Sequence, residues 1–222
     1  MNHININFNI SKNHHLYYHP VYQSNPLING HYPMIEELLQ SLSGVVDKAL
    51  SQYRKVFAFR VDLRMPLGMD ASPDHTSNTV MSKFIDSLKA KIRHNRACVA
   101  KSGTYAHHTK VRYFWVREVG DVNRVHYHLV ILLNGNAFNW LGNYQASGGN
   151  TAMRVCEAWA SALGMQDEEA KSLVHFPQNP AYILKRDEQE SIDEFFKRAS
   201  YLCKAKTKHY GHGHHGYGAS RD

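Results

Sequence analysis

Two long stretches of this sequence contain no acidic residue, and that absence is more telling than the net charge of +7. Residues 87–117 carry eight Lys or Arg and no Asp or Glu, and residues 195–221 carry six with none. Long apolar runs are also missing: the longest, residues 129–133, falls far short of the roughly 20 residues of a membrane span. The opening Met1-Asn2-His3-Ile4-Asn5 lacks the basic and apolar regions of a secretory signal. Cysteine is sparse and unpaired, since Cys98, Cys156 and Cys203 are odd in number and scattered, which argues against a disulfide framework. These absences predict a reduced, cytoplasmic chain with no membrane partner. With 222 residues and 43% hydrophobic content, it can form one folded domain carrying an arm, and disorder throughout is excluded.

Aromatic residues sit inside both basic stretches: Tyr105, Tyr113, Phe114 and Trp115 in the first, Tyr201, Tyr210 and Tyr217 in the second. Cations neutralise phosphates and aromatic faces stack on bases, so the mixture suits single-stranded nucleic acid. The plain alternative is a pair of solvated basic faces. Lys197, Lys208, Arg112, Arg117 and Arg64 are the candidate nucleic-acid contacts.

Residues 1–33 hold five His and seven Asn and are punctuated by Pro20, Pro26 and Pro33, which predicts an irregular arm. Apolar residues then recur at helical spacing over 34–55, and residues 56–63 read as a buried strand ended by Pro66 and Gly68. Helical spacing resumes over 79–100. Strands over 110–119 and 124–134, joined by Gly120-Asp121-Val122-Asn123, predict an antiparallel hairpin. A helix is expected over 151–163 with Gly164 as its stop, a short strand over 173–176, a helical turn over 179–184, and a last helix over 188–206. The fold class is α+β, an antiparallel sheet with helices packed on it. The domain runs from 34 to 210, between the arm and a Gly/His-rich tail at 211–222.

The sharpest local feature is His126-Tyr127-His128 within a strand. Residues two apart share a face, so the imidazoles can meet one divalent ion. Glu118 ends the preceding strand. A three-residue loop, Asp121 to Asn123, would place it directly opposite His126 on the same face, whereas a two-residue loop would turn it away. Two imidazoles and one carboxylate leave positions open on Mg²⁺ or Mn²⁺ for phosphate oxygens and water. The competing reading is a surface Glu118 paired with Arg117 or Arg124.

Tyr201 and Lys204 lie three apart in the expected last helix and share its face, which Lys197 and Lys208 extend. A phenol with an ordinary pKa near 10 is a poor nucleophile at neutral pH. Neighbouring ammonium groups or a metal would favour the charged form or stabilise charge in a transition state. The ordinary alternative is a packed tyrosine beside solvated lysines.

Glu118, His126-Tyr127-His128 and the downstream Tyr201-Leu202-Cys203-Lys204 together resemble the three parts of an HUH endonuclease. Phe59-Arg60-Val61-Asp62-Leu63-Arg64-Met65-Pro66, Val174-His175-Phe176-Pro177, Thr207-Lys208-x-Tyr210-Gly211 and Gly218-x-Ser220-Arg221 extend the similarity to the inovirus-type replication proteins. That family includes the YagK/YfjJ-type prophage proteins, and the resemblance covers about residues 54–221. Two features depart from it: Tyr127 is bulkier than the usual middle residue, and the tail is unusually rich in histidine.

The resemblance implies metal-dependent nicking of single-stranded or origin-hairpin DNA in rolling-circle replication initiation. Tyr201 would be the nucleophile, Lys204 would stabilise charge, and Glu118, His126 and His128 would hold Mg²⁺ or Mn²⁺. The products would be a 5′-phosphotyrosine and a 3′-hydroxyl that host replication machinery could extend. Two other readings are a DNA-binding regulator of prophage origin without cleavage, and a metal-storage or sensor module built on the histidine-rich ends.

Overall fold

A computed structural model describes residues 13–29, 33–67, 78–119, 124–144, 149–206 and 215–221. Three short strands, β1 (Leu16–Tyr17), β2 (Val21–Tyr22) and β3 (Asn25–Pro26), precede β4 (Met34–Ile35) and helix α1 (Glu36–Gln52). Strand β5 (Lys55–Arg64), helix α2 (Thr79–Lys101), and the hairpin of β6 (Arg112–Val119) and β7 (Val125–Asn134) follow. Next come α3 (Thr151–Leu163), α4 (Asp167–Lys171), β8 (Val174–His175), β9 (Ala181–Lys185), α5 (Gln189–Ala199), a 3₁₀ turn (Ser200–Cys203) and β10 (Tyr217–Ala219).

Six strands form one antiparallel sheet in the order β10-β6-β7-β5-β8, with β9 sharing the outer edge of β5. Alternation along the strands divides it into two faces. Phe57, Phe59, Val61 and Leu63 of β5 join Tyr127, Leu129, Ile131 and Leu133 of β7 against apolar residues of α2 and α3. The intervening residues, Val56, Ala58, Phe114, Val116, Val130 and Leu132, pack under α1 and α5. Both apolar faces are therefore covered by helices, as the expected α+β architecture requires.

Local chemistry fixes the covering helices. Leu38, Leu39, Leu42, Val45, Val46 and Ala49 make one buried stripe of α1, whose first turn carries Glu36 and Glu37 where the helix dipole favours negative charge. The Asn150 side chain caps α3 by accepting from the Met153 amide at 2.9 Å, and Gly164 ends it at φ 68°, a conformation open to glycine. Behind the sheet, Trp159 of α3 donates its indole N–H to the Arg64 carbonyl at 3.1 Å, anchoring the end of β5.

Several sequence expectations need correction. Residues 181–185 form strand β9, not a helical turn, because their backbone pairs with Lys55 to Phe59 of β5. The last helix stops at Ala199, and residues 200–203 tighten into a 3₁₀ turn. Residues 217–219 of the expected tail pair with β6. Of the expected arm, Tyr22 and Leu27 are buried in the core under α1 and α5. Cys156 and Cys203 are buried and Cys98 is exposed; burial pushes the Cys156 thiol up to about 11. No helix among the described residues is long and apolar enough to cross a membrane.

The β10 edge supplies a stability test. Gly218 lies opposite Trp115, and a Cβ at Gly218 would meet the rigid indole at 2.7 Å. Gly218→Ala should lower unfolding free energy by about 1–3 kcal/mol, the usual cost of overpacking. Denaturant melts of the two proteins check this, and equal midpoints would show that β10 does not need the close approach.

Candidate metal centre

The face under α1 changes character along its length. On β5, Val56 and Ala58 give way to Arg60, Asp62 and Arg64; on β7, Leu132 and Val130 give way to His128 and His126; on β6, Val116 is followed by Glu118. The strand register places Glu118 opposite His126, His126 opposite Arg64, and His128 opposite Asp62. This is the hairpin register that points Glu118 to the side of the two histidines. Its connecting residues 120–123 lie outside the described residues.

The Nε2 atoms of His128 and His126 lie 3.3 and 3.7 Å from Glu118 Oε2. One ligand atom from each of the three residues falls within 4.8 Å of the other two. Metal–ligand bonds near 2.1 Å span such a set after small side-chain adjustments. The other ring nitrogens face away: His128 Nδ1 lies 2.6 Å from Asp62 Oδ1, and His126 Nδ1 lies 3.3 Å from the Arg124 carbonyl. A proton on each Nδ1 leaves both Nε2 lone pairs directed at the centre, the carboxylate–histidine arrangement that orients metal ligands. The donor set of two imidazoles and one carboxylate suits a borderline divalent ion and leaves further coordination positions open.

Asp62 and Arg60 are the site residues that the reading by residue type missed. Asp62 accepts from His128 and from the Arg60 guanidinium at 3.2 and 3.3 Å, and its second oxygen is 3.7 Å from exposed His175 on β8. Burial alone would raise the Asp62 carboxyl, but the bonds to His128 and Arg60 outweigh it and hold it below its ordinary value. Burial likewise disfavours the His128 imidazolium, yet Asp62 and Glu118 together hold His128 above its ordinary value. The signal in the sequence was parity: every polar residue of β5 after Lys55 falls on the face of the histidines.

Tyr201 borders this cluster from the 3₁₀ turn. The Lys204 ammonium lies 3.7 Å from the Tyr201 ring centroid and the Arg60 guanidinium 5.3 Å from it. Lys204 follows the turn in extended backbone, bridged to Met34, and is 93% buried from solvent, its relative exposure being 7%. The turn is held from the arm: the Ile28 amide donates to Ser200 Oγ at 3.0 Å, and the Ala205 amide to the Pro33 carbonyl at 2.9 Å.

The five candidate nucleic-acid contacts do not share one surface. Arg64 and Lys197 are exposed, Arg64 beside His126 in the sheet and Lys197 near the end of α5. Arg112 is buried and donates to Gln52 Oε1 at 2.7 Å, so it is not a surface contact. Arg117 projects to the opposite face, beside buried Tyr127, whose phenol is raised by burial against the influence of Arg117. Lys208 lies outside the described residues, as does most of the His-rich tail.

Protons compete with a metal for these imidazoles. The metal-free protein should lose the stability contributed by protonated His128 as pH rises through its elevated value, while affinity for Mn²⁺ should rise over the same interval. His126→Ala/His128→Ala should abolish that affinity, and Asp62→Asn should weaken it by about 10–100-fold, the usual effect of removing such a buttress. Denaturant melts of the metal-free protein across pH check the stability, and calorimetric Mn²⁺ titrations across pH check the three affinities; unaltered affinity in the double variant would remove the assignment.

A family model described as the YagK/YfjJ C-terminal domain matches residues 18–220, so the similarity reaches well into the arm. "Uncharacterized protein YfjJ" of Escherichia coli (strain K12) is 30% identical over 187 residues, which cover 80% of this chain and 90% of that protein. "Uncharacterized protein YagK" of the same strain is 28% identical over 179 residues, covering 77% and 86%. No solved structure matches the chain. With nearly its whole length spanned by that match, the chain belongs to the YagK/YfjJ C-terminal domain family.

Proposed function

We propose that this protein is a metal-dependent, single-tyrosine DNA strand transferase of the HUH type, acting in phage or prophage replication initiation like the inovirus-type replication proteins it resembles. The observation that carries the reading is Arg60, which links the candidate nucleophile to the candidate metal centre. Its guanidinium lies 5.3 Å from the Tyr201 ring, while its Nη2 is 3.4 Å from His128 Nδ1 and 3.3 Å from Asp62. A phosphate bound between Tyr201 and the histidines would thus lie within reach of Arg60.

In the proposed reaction the Tyr201 phenolic oxygen attacks a phosphorus of single-stranded or extruded hairpin DNA and loses its proton. The bond from phosphorus to the 3′-oxygen breaks, and that oxygen leaves with a proton as a 3′-hydroxyl. A divalent ion at Glu118, His126 and His128 would supply Lewis-acid polarisation of the scissile phosphate. Mn²⁺ accepts imidazole ligands more readily than Mg²⁺ does. Arg60 and Lys204 would stabilise the negative charge that develops on the phenolic and phosphoryl oxygens, the help phosphoryl transfer chiefly needs. The 5′ end stays joined to Tyr201, and host replication machinery would extend the free 3′-hydroxyl. Tyr210, the next tyrosine along, lies outside the described residues.

The test is incubation with Mn²⁺ and origin-derived oligonucleotides, followed by denaturation and peptide mapping by mass. A nucleotide adduct should form on the peptide containing Tyr201 and vanish in Tyr201→Phe, while the variant keeps its oligonucleotide affinity. An adduct on Tyr182 or Tyr217 instead would reassign the nucleophile. Binding without any adduct would favour the non-catalytic regulator.

A further inference from the structure

At the end of β6 remote from Glu118, strand β6, helix α2 and the C-terminal segment enclose a cavity of about 560 Å³. That volume falls within the range of small-molecule sites. Lys89, Arg93, Arg96, Lys110 and Arg221 line it, and among the described residues no Asp or Glu does. Among the described residues, none of these five cations is in an ion pair. Gathering five like charges round one cavity raises the electrostatic energy of the free protein and lowers that of an anion entering it.

The cavity is a built feature, assembled from distant parts of the chain. Arg96 is braced by Asn95 Oδ1, 2.6 Å from its Nη2, and its guanidinium lies 4.6 Å from the Phe138 ring centroid. The Lys89 ammonium lies 5.8 Å from the ring centroid of Tyr113. The Ser220 amide donates to the Tyr113 carbonyl at 2.9 Å and Lys48 Nζ donates to the Arg221 carbonyl, which fixes Ser220 and Arg221 against the cavity. Tyr113 also supplies an aromatic lining beside the cations.

We propose that this cavity is a phosphate-binding site separate from the candidate metal centre. Tyr113 lies roughly 17 Å along β6 from Glu118, at about 3.4 Å per residue. Its ligand is a phosphate-bearing anion, either the phosphodiester backbone of a nucleic-acid strand or the polyphosphate of a free nucleotide. Because the site is read by binding and not by cleavage, its failure is distinguishable from failure of the strand-transfer reading.

The experiment uses the full chain and three probes: inorganic tripolyphosphate, ATP, and a 12-nucleotide single strand. Each phosphate contact contributes about 0.7 to the slope of log affinity against log salt for single strands. Arg93→Glu/Lys110→Glu, two changes at exposed residues, should therefore reduce the strand's salt slope by about 1.4 and weaken tripolyphosphate binding by about tenfold or more. Mn²⁺ affinity should be unchanged, which also reports that the variant folds. On the wild-type protein, tripolyphosphate should shift the amide NMR signals of Tyr113, Ser220 and Arg221. The same shifts with the oligonucleotide identify the strand as ligand; shifts with ATP but not the oligonucleotide identify a free nucleotide. Amide signals at the cavity unmoved by all three probes, or a variant that binds them as the wild type does, would overturn the proposal.

Discussion

The pairing of Glu118 with His126 across the hairpin is the constraint on which the rest of this molecule depends. Side chains alternate along a strand, so a slip of one residue in β6 would turn Glu118 away from both histidines. The same slip would lift Phe114 and Val116 out of the core under α1. Burial of the apolar half of that face therefore enforces assembly of its polar half. Hydrophobic packing is nondirectional, but acting through strand register it becomes a positional device for three ligand atoms.

The polar half is held by reciprocal satisfaction of charge. Asp62, Glu118 and Lys204 are all buried, and an isolated buried ion would be costly. Asp62 is met by His128 and Arg60, Glu118 by the two imidazoles, and Lys204 by the face of Tyr201. Removing any one member would leave its partners buried with less compensation. The arm contributes to the same assembly, since Ile28 and Pro33 bond the residues on either side of the Tyr201 turn. A match to the family that begins at residue 18 accords with an arm that is part of the domain.

The fold class, the hairpin and the triad were legible because each rests on local pattern. The histidines lie two apart, and the short connection to Glu118 admits few registers. What escaped was set by distant contacts. Residues 181–185 followed Asn179 and Pro180 and resembled a turn, but the edge of β5 made them a strand. The last helix carried no glycine or proline to mark its end at Ala199, and the chain there is drawn off by bonds to residues 28 and 33–34. Tyr217-Gly218-Ala219 had weak strand character until β6 supplied an edge about one hundred residues earlier. Arg112 shows the limit of reading function from charge, because a guanidinium can be spent on a buried bond to Gln52. Asp62 was visible in the sequence but not distinguishable by type; only its place opposite His128 gives it a role.

The central claim is that Glu118, His126 and His128 hold one divalent ion with Asp62 behind them. Anomalous diffraction from crystals grown with Mn²⁺ tests it most directly. A single strong peak about 2.0–2.3 Å from Glu118 Oε2 and from both histidine Nε2 atoms is the expected result. A peak bound instead by the histidines of residues 209–215, with none at the hairpin, would contradict the account.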